Sequence, residues 1–365
     1  MSSRKYHQKS RNGCVQCKKR RVKCDENRPF CKNCQRTHAP CSYTSSVPAT
    51  PRESSASVVS SPQSGATPWT EQINFDLLDL RLMHHYTLTA ANELFPRGHG
   101  QTIWQHKIPL EAQSHPMLMH GLLAISAAHL ALNYAKDGTD YRIRAIHHQN
   151  MGLLGYRAAI SEISSLNAIP SFVFSVMLGV LTFAGPRLSA KEASIDDALE
   201  LFTLMRGSKV VWELEKQTVL TSPMVALIPP PDWDFDKLDA GLEAKLEDLK
   251  LLSPGDAVYT TAVDELKLCM QVALAAPDDF LITARWMATV DEQFWVRLKA
   301  HDPIALLLFA HYSLILSAYE QIWWLGDWKA ELIKAVDSTL SPGDKEAVKW
   351  SSRVEFLGQY RGQMR

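Results

Sequence analysis

Residues 13–43 read GCVQCKKRRVKCDENRPFCKNCQRTHAPCSY and hold six of the chain's seven cysteines: Cys14, Cys17, Cys24, Cys31, Cys34 and Cys41. The spacing is C-x2-C-x6-C, six residues, then C-x2-C-x6-C again, so the segment is an approximate internal repeat. Between Cys17 and Cys24 lies Lys18-Lys19-Arg20-Arg21-Val22-Lys23. A frame of metal-binding thiols around a cationic block points to nucleic acid.

Thiolates in a short segment favour zinc, which takes four tetrahedral ligands. One four-cysteine site would strand two reactive thiols, and two separate sites would need eight ligands. Six cysteines close the count if two of them bridge both metals. In a repeat of this symmetry the bridges fall on the first cysteine of each half, Cys14 and Cys31. One zinc then holds Cys14, Cys17, Cys24 and Cys31; the other holds Cys31, Cys34, Cys41 and Cys14. His38 has no counterpart in the first half and is expected to be a bystander. Disulfides are the plain alternative, but they need an oxidising compartment, and the opening MSSRKYHQKS has no apolar leader run. The segment is too short to bury a useful core, so two zinc ions would supply most of its folding free energy.

Through all six cysteines the string resembles the fungal binuclear zinc cluster of transcription factors, a module that places a helix at DNA. The resemblance implies two short helices starting near Cys17 and Cys34, joined by a loop through Pro29. It implies double-stranded DNA as partner, the first helix meeting the major groove at a CG-containing triplet. By position Arg21 matches the family's base-contacting Lys. Lys18, Lys19, Arg20, Arg21 and Lys23 lie within about two helical turns, so some face bases and others phosphates. An Arg can grip the O6 and N7 of guanine together, worth roughly 1–3 kcal/mol of discrimination. Arg4, Lys5, Lys9 and Arg11 precede the cluster and suit the phosphate backbone or a nuclear importer. The competing reading of the block is a solvated charge run or a nuclear localisation signal alone.

Charge is unevenly spread over the 365 residues. Residues 1–43 carry twelve Lys or Arg against Asp25 and Glu26, so a head of +10 is balanced by −10 behind it in a chain of net charge zero. A basic head on an acidic body suits a modular DNA binder whose body does not hold DNA itself. Residues 44–70 are rich in Ser, Pro, Thr and Ala without an apolar period and read as a flexible linker. No heptad run follows the cluster, so the chain either forms a homodimer through its large domain or binds as a monomer.

Residues 71–365 recur at helical spacing. Phe75, Leu78, Leu82 and Tyr86 make one face, and Leu118, Leu122, Ile125, His129 and Leu132 another. Helices are predicted over 142–163, 195–212, 258–276 and 280–298. Breaks are expected at Pro96, Pro116, Pro170, Pro186, Pro254, Pro277, Pro303 and Pro342. The body is therefore all-α. Residues 164–186 and 304–319 could be mistaken for membrane spans; Pro170 and Pro186 bracket only about 15 residues, short of the ~20 a span needs, so both are expected as core helices.

Residues 80–95 (LRLMHHYTLTAANELF), 115–135 (HPMLMHGLLAISAAHLALNYA) and a following helix with Tyr156-Arg157-Ala158 are similar to the regulatory domain of sterol-uptake-control-type fungal regulators. The similarity implies a helical domain over residues 75–330 with a hydrophobic pocket, closed in some relatives by a sterol or other lipid. Such a ligand would keep the protein in the cytoplasm, and its loss would send it to the nucleus and the transcription machinery.

His84, His85, His120, His129, His147 and His148 form no H-E-x-x-H pattern and are expected as ordinary core or surface residues. Cys269 sits on an apolar helix face and is expected as packing. No G-x-S-x-G, phosphate-binding loop or dinucleotide fingerprint is present, which leaves no residues for an enzyme. Residues 229–250 interleave Asp232, Asp234, Asp236 and Asp239 with Trp233, Phe235 and Leu238. Acidic activation segments share that composition; the plainer reading is an exposed loop entering a helix. The chain thus reads as a zinc-dependent, sequence-specific transcription regulator. Its rival is a ligand sensor or scaffold whose DNA contact is incidental.

Overall fold

Every regular element among the described residues is a helix, in line with the apolar periodicity. The computed structural model describes residues 13–27, 31–37, 41, 75–95, 100–134, 138–189, 191, 194–227, 238–275 and 285–360. The basic arm, Pro29, His38, the 44–70 linker, Pro96, Pro277 and the aspartates at 232, 234 and 236 lie outside the described residues. The chain divides into two units, Met1–Thr70 and Glu71–Arg365.

The first unit holds α1 (Val15–Lys19) and α2 (Lys32–Arg36). Five-residue helices are far below the length that persists alone in water, so something other than helix propensity must close them. Both begin two residues before the cysteine at which the sequence placed their start. The reason is local: the Sγ atoms of Cys14 and Cys31 accept the amides of Cys17 and Cys34, capping each helix one residue after its first cysteine.

The second unit runs α3 (Leu77–His85), α4 (Ala91–Leu94), α5 (Ile108–Ala112), α6 (Pro116–Asn133), α7 (Thr139–Ser161), α8 (Ala168–Ser189) and α9 (Ile195–Leu220). It continues with α10 (Ala240–Lys250), α11 (Ala257–Ala275), α12 (Arg285–Thr289), α13 (Glu292–Lys299), α14 (Pro303–Leu316), α15 (Trp328–Thr339), α16 (Pro342–Ala347) and α17 (Trp350–Gln359). Capping chemistry sets many starts. Asp76 and Asp79, Ser194 and Asp197, and Ser341 and Asp344 form capping boxes, while Pro116, Pro303 and Pro342 occupy first turns whose amides need no partner. Two π-helical turns, Tyr86–Ala90 and Ile103–Lys107, are coupled by the Tyr86 hydroxyl donating to the Trp104 carbonyl at 3.0 Å.

The core has two centres. α6 packs against α3, α7 and α8, and 14 of its 18 residues are buried; a helix apolar all round belongs in a core. α14 plays the same part among α11, α13, α15 and α17. Cys269 is buried in α11 as packing. Asp239 caps α10 by accepting the Leu242 amide at 2.9 Å and also accepts the Tyr360 hydroxyl. That part of the acidic segment is therefore a helix entry.

Three expectations need correcting. Pro170 and Pro186 do not bracket α8, which runs through both for 22 residues. Pro170 lies in the first turn, where amides are unpaired anyway, and Gly185 before Pro186 has no Cβ to clash with the proline ring. α6 and α8 are consequently both long and apolar enough to cross a membrane, yet 78% and 72% of their apolar windows are buried by protein. Covered so fully, they serve as core helices. Finally, the helix expected over 280–298 breaks at Val290–Asp291, because Asp291 caps α13 by accepting the Gln293 amide.

Glycines lie where α6, α7 and α8 pack against one another. A Cβ on Gly152 would meet Phe174 Cε2 at 2.5 Å, its Cζ at 2.6 Å and the Met117 carbonyl oxygen at 3.2 Å. A Cβ on Gly121 would chiefly meet the flexible Met177 Sδ, at 2.4 Å. Alanine gains about 1 kcal/mol of helix propensity over glycine, against roughly 1–3 kcal/mol for overpacking. Gly152→Ala is therefore expected to lower the urea midpoint of the full chain, and Gly121→Ala to lower it less.

Two arrays of the same composition pin the start of this unit, the first buried throughout and the second open to solvent at Glu93. Asp79 accepts His148 Nε2–H at 2.9 Å, and His148 Nδ1 faces His120 Nδ1 at 2.8 Å. Glu93 accepts His129 Nε2–H at 3.1 Å, and His129 Nδ1 faces His85 Nε2 at 2.9 Å. In each, the carboxylate fixes the inner imidazole's tautomer, so its second nitrogen must accept from the outer histidine. Arg144 adds Nε to Asp79 at 2.9 Å and Nη2 to Asp76 at 2.5 Å. Four of the six histidines expected as ordinary core or surface residues, His85, His120, His129 and His148, thus form two chains of acid, inner histidine and outer histidine, joining α3 and α4 to α6 and α7.

Candidate metal centre and nucleic-acid interface

The first unit's two halves repeat their hydrogen bonds as they repeat their sequence. The Cys14 amide donates to Cys24 Sγ at 3.4 Å, and the Cys31 amide to Cys41 Sγ at 3.3 Å. With the two helix caps, these turn six sulfurs toward a common centre. Cys14, Cys17, Cys24, Cys31 and Cys34 are buried, Cys34 and both first cysteines completely.

Two sets of sulfurs have the geometry to hold a metal ion: Cys14, Cys17, Cys24 and Cys31, and Cys14, Cys31, Cys34 and Cys41. In each set the Sγ atoms lie within 4.8 Å of one another, and Cys14 and Cys31 belong to both. Cys14 and Cys31 Sγ are 3.7 Å apart; Cys14–Cys34 and Cys17–Cys31 are both 3.6 Å. A tetrahedron with Zn–S bonds of 2.3 Å has edges of about 3.8 Å. The donors therefore fit zinc, and no disulfide joins them.

The thiols are not alike. Burial acts to raise Cys14, Cys17, Cys31, Cys34 and Cys41, yet Cys14 and Cys31 are held below the ordinary cysteine value, because the Cys17 and Cys34 amides and neighbouring thiols donate to them. Burial and adjacent sulfurs drive Cys17 upward and push Cys34 up to about 12. So many thiolates at these separations repel unless cations neutralise them. Binding a dication here would release protons and contribute folding free energy together.

The basic block wraps the first half. Lys18 and Lys19 form the last turn of α1, and Arg20 is its C-cap. Arg21 stands in the left-handed region at φ 55° and ends the helix. The two helical turns expected for this block are therefore one short helix followed by an irregular return to Cys24, whose sulfur must reach the Cys14 amide. Lys18, Lys19, Arg20, Arg21 and Lys23 are all exposed. Arg20 Nη1 donates to Thr37 Oγ1 at 2.8 Å, Asn33 Nδ2 to the Lys23 carbonyl at 2.6 Å, and the Lys32 amide to Asp25 at 3.0 Å. Sequence reasoning missed these three ties from the second half to the first. Their only signal is the repeat, which puts Thr37 where Arg20 stands in the first half.

Residues 12–50 match the fungal Zn(2)-Cys(6) binuclear cluster domain, and residues 81–212 the fungal specific transcription factor domain. A Zn(2)-C6 fungal-type transcription factor of Gibberella zeae is 26% identical over 98% of this chain and 88% of its own length. The Zn(2)-C6 fungal-type transcription factor afumD of Aspergillus fumigatus is 32% identical over 58% of this chain and 57% of its own. Sterol uptake control protein 2 of Candida albicans is 70% identical, but over 40 residues, 11% of this chain and 6% of that protein. A module whose six cysteines can hold metal, joined to a body matched along most of its length by another regulator of the same build, places the chain among the fungal Zn(2)-C6 transcription factors, which are DNA-binding regulators and not enzymes.

Proposed function

We propose that this chain is a nuclear, sequence-specific regulator of RNA polymerase II genes whose DNA-binding unit is folded by two zinc ions. Cys14, Cys17, Cys24, Cys31, Cys34 and Cys41 are the ligands, with Cys14 and Cys31 bridging. Held by these thiolates, zinc would supply structure and not catalysis. The basic block of Lys18, Lys19, Arg20, Arg21 and Lys23 supplies the face that meets the duplex, and Arg21 reads the base. Residues 44–70 tether this unit to a helical regulatory body that spans no membrane.

One observation carries this proposal: an exposed cationic block is held between buried thiols spaced for zinc. A chain that only carried a localisation signal would not need that rigidity. Control by a sterol or other lipid in the body, with retention in the cytoplasm, is the finer extension, suggested by the name of a relative whose match spans 40 residues. The native mass of the full chain, purified with and without a eukaryotic lipid extract, reports zinc per chain, bound lipid and homodimer together.

Arg21→Ala is expected to lower preference for a CG-containing duplex over a scrambled one by about 10- to 100-fold, the size of a lost bidentate base contact. Lys9→Ala should weaken both duplexes alike, as a phosphate contact does. Competition binding at fixed salt measures both; equal effects of the two changes would remove the assignment of Arg21.

A further inference from the structure

Residues related by the repeat meet at its centre. Cys31 follows Cys14 by 17 positions, and their sulfurs lie 3.7 Å apart. Thr37 follows Arg20 by the same 17 positions, and these side chains also touch, at 2.8 Å. Two equivalent pairs in contact mark the axis that relates the halves. The sulfur pair lies inside, and the Arg20–Thr37 pair outside, at the C-caps of α1 and α2.

The hydroxyl's own bond gives this contact a direction. Thr37 Oγ1 donates to the Asn33 carbonyl at 2.8 Å, so its lone pairs are left to accept from Arg20. Asn33 in turn ties α2 to the Lys23 carbonyl. Arg21 and Val22 therefore lie between two ties to the second half, one at residue 20 and one at residue 23. Arg21 is also the residue in the left-handed region, so its backbone conformation has to be held by its surroundings.

We propose that Arg20 is a positioning residue: it braces the two halves through Thr37 and aims Arg21, instead of touching DNA itself. This rests on the basic block meeting DNA as set out above, and narrows the contacts within that block to Lys18, Lys19, Arg21 and Lys23, with Arg20 behind them. The second half of the repeat, through Thr37 and Asn33, thereby takes part in base preference without carrying a base-reading residue.

Salt dependence separates a brace from a contact. Each phosphate contact contributes about 0.9 to the slope of log K against log salt. The full zinc-loaded chain would be titrated with a CG-containing duplex selected from a randomised pool and with its scrambled counterpart, across a salt series. Arg20→Ala is expected to cut the preference for the selected duplex about tenfold and leave the slope on the scrambled duplex unchanged. Thr37→Val, which keeps the shape and removes the acceptor, should cut the preference similarly, with scrambled binding equal or stronger because Arg20 is released. Zinc per chain should match wild type in both. The proposal is overturned if Arg20→Ala flattens the slope by about one and weakens both duplexes equally. It is equally overturned if Thr37→Val leaves the preference intact, or if both variants lose zinc. A wild-type chain without any preference would instead sink the DNA reading, and this proposal with it.

Discussion

Cys31→Ser is expected to empty both metal positions, whereas Cys41→Ser should leave about one zinc per chain. Cys31 and Cys14 belong to both four-sulfur sets, while Cys17, Cys24, Cys34 and Cys41 belong to one each. Serine is a poor zinc ligand at neutral pH, so loss of a shared sulfur leaves each ion with three donors. The unit has little else to hold it: its helices are five residues long, and its buried cluster is made of cysteines alone. Structural zinc supplies on the order of 10 kcal/mol in units of this kind, so DNA binding by Cys31→Ser should vanish, not merely weaken. Cys269→Ser is the control, because Cys269 lies buried in α11 among apolar residues and should leave zinc unchanged. Native mass and duplex binding on the same samples decide it. If Cys31→Ser kept one zinc and a measurable site preference, the sharing of Cys14 and Cys31 would be wrong.

The contrast between the two units shows what sequence can carry. In the first, the function is written locally: ligand count, spacing and charge all fall within residues 14–41, and the metal dictates geometry from a short list of distances. Even so, Arg20–Thr37 was hidden, because a hydroxyl in a spacer has no signature of its own. In the second unit the helices were legible from apolar period, but their ends were less so where proline misled, as at Pro170 and Pro186. The histidine arrays were not legible at all. Asp79 and His148 are 69 residues apart, His85 and His129 are 44 apart, and only tertiary packing brings them together. Residue type made them look ordinary, since a helical histidine among apolar residues is most often a packed one.

Asp79→Ala is expected to cost the helical unit about 3–5 kcal/mol, because it removes the buried acceptor at the head of one array. Asp79 is 3% exposed and serves three groups at once: His148 Nε2, Arg144 Nε and the amide of Asp76 in the α3 capping box. Without it, a buried His148 proton has nowhere to go, α3 loses one of its caps, and Arg144 keeps only the exposed Asp76. Asp79→Asn, which preserves an acceptor oxygen but not the charge, should cost less. Acid should act on the same clamp. His120 and His85 are driven down to about 4, by burial first and then by the facing His148 and His129; His147 adds to the first, Arg81 and His84 to the second. Asp79 and Glu93 oppose these shifts, and burial also lowers His148 and His129 despite those carboxylates. Imidazoles lowered in the folded state mean that the unfolded chain binds more protons, so stability is complete above about pH 6.5 and falls as pH drops from there toward about 4. Arg144 and His147 face His148 and sharpen the effect, since a proton taken up there meets positive neighbours. Urea unfolding of the full chain, followed by helix signal at about pH 7.5 and about pH 5, reads both effects. The clamp would be refuted by an Asp79→Ala midpoint equal to wild type at the higher pH. It would be refuted equally by a wild-type midpoint indifferent to the change, since four lowered imidazoles cannot be protonated in the unfolded chain without drawing the equilibrium toward it.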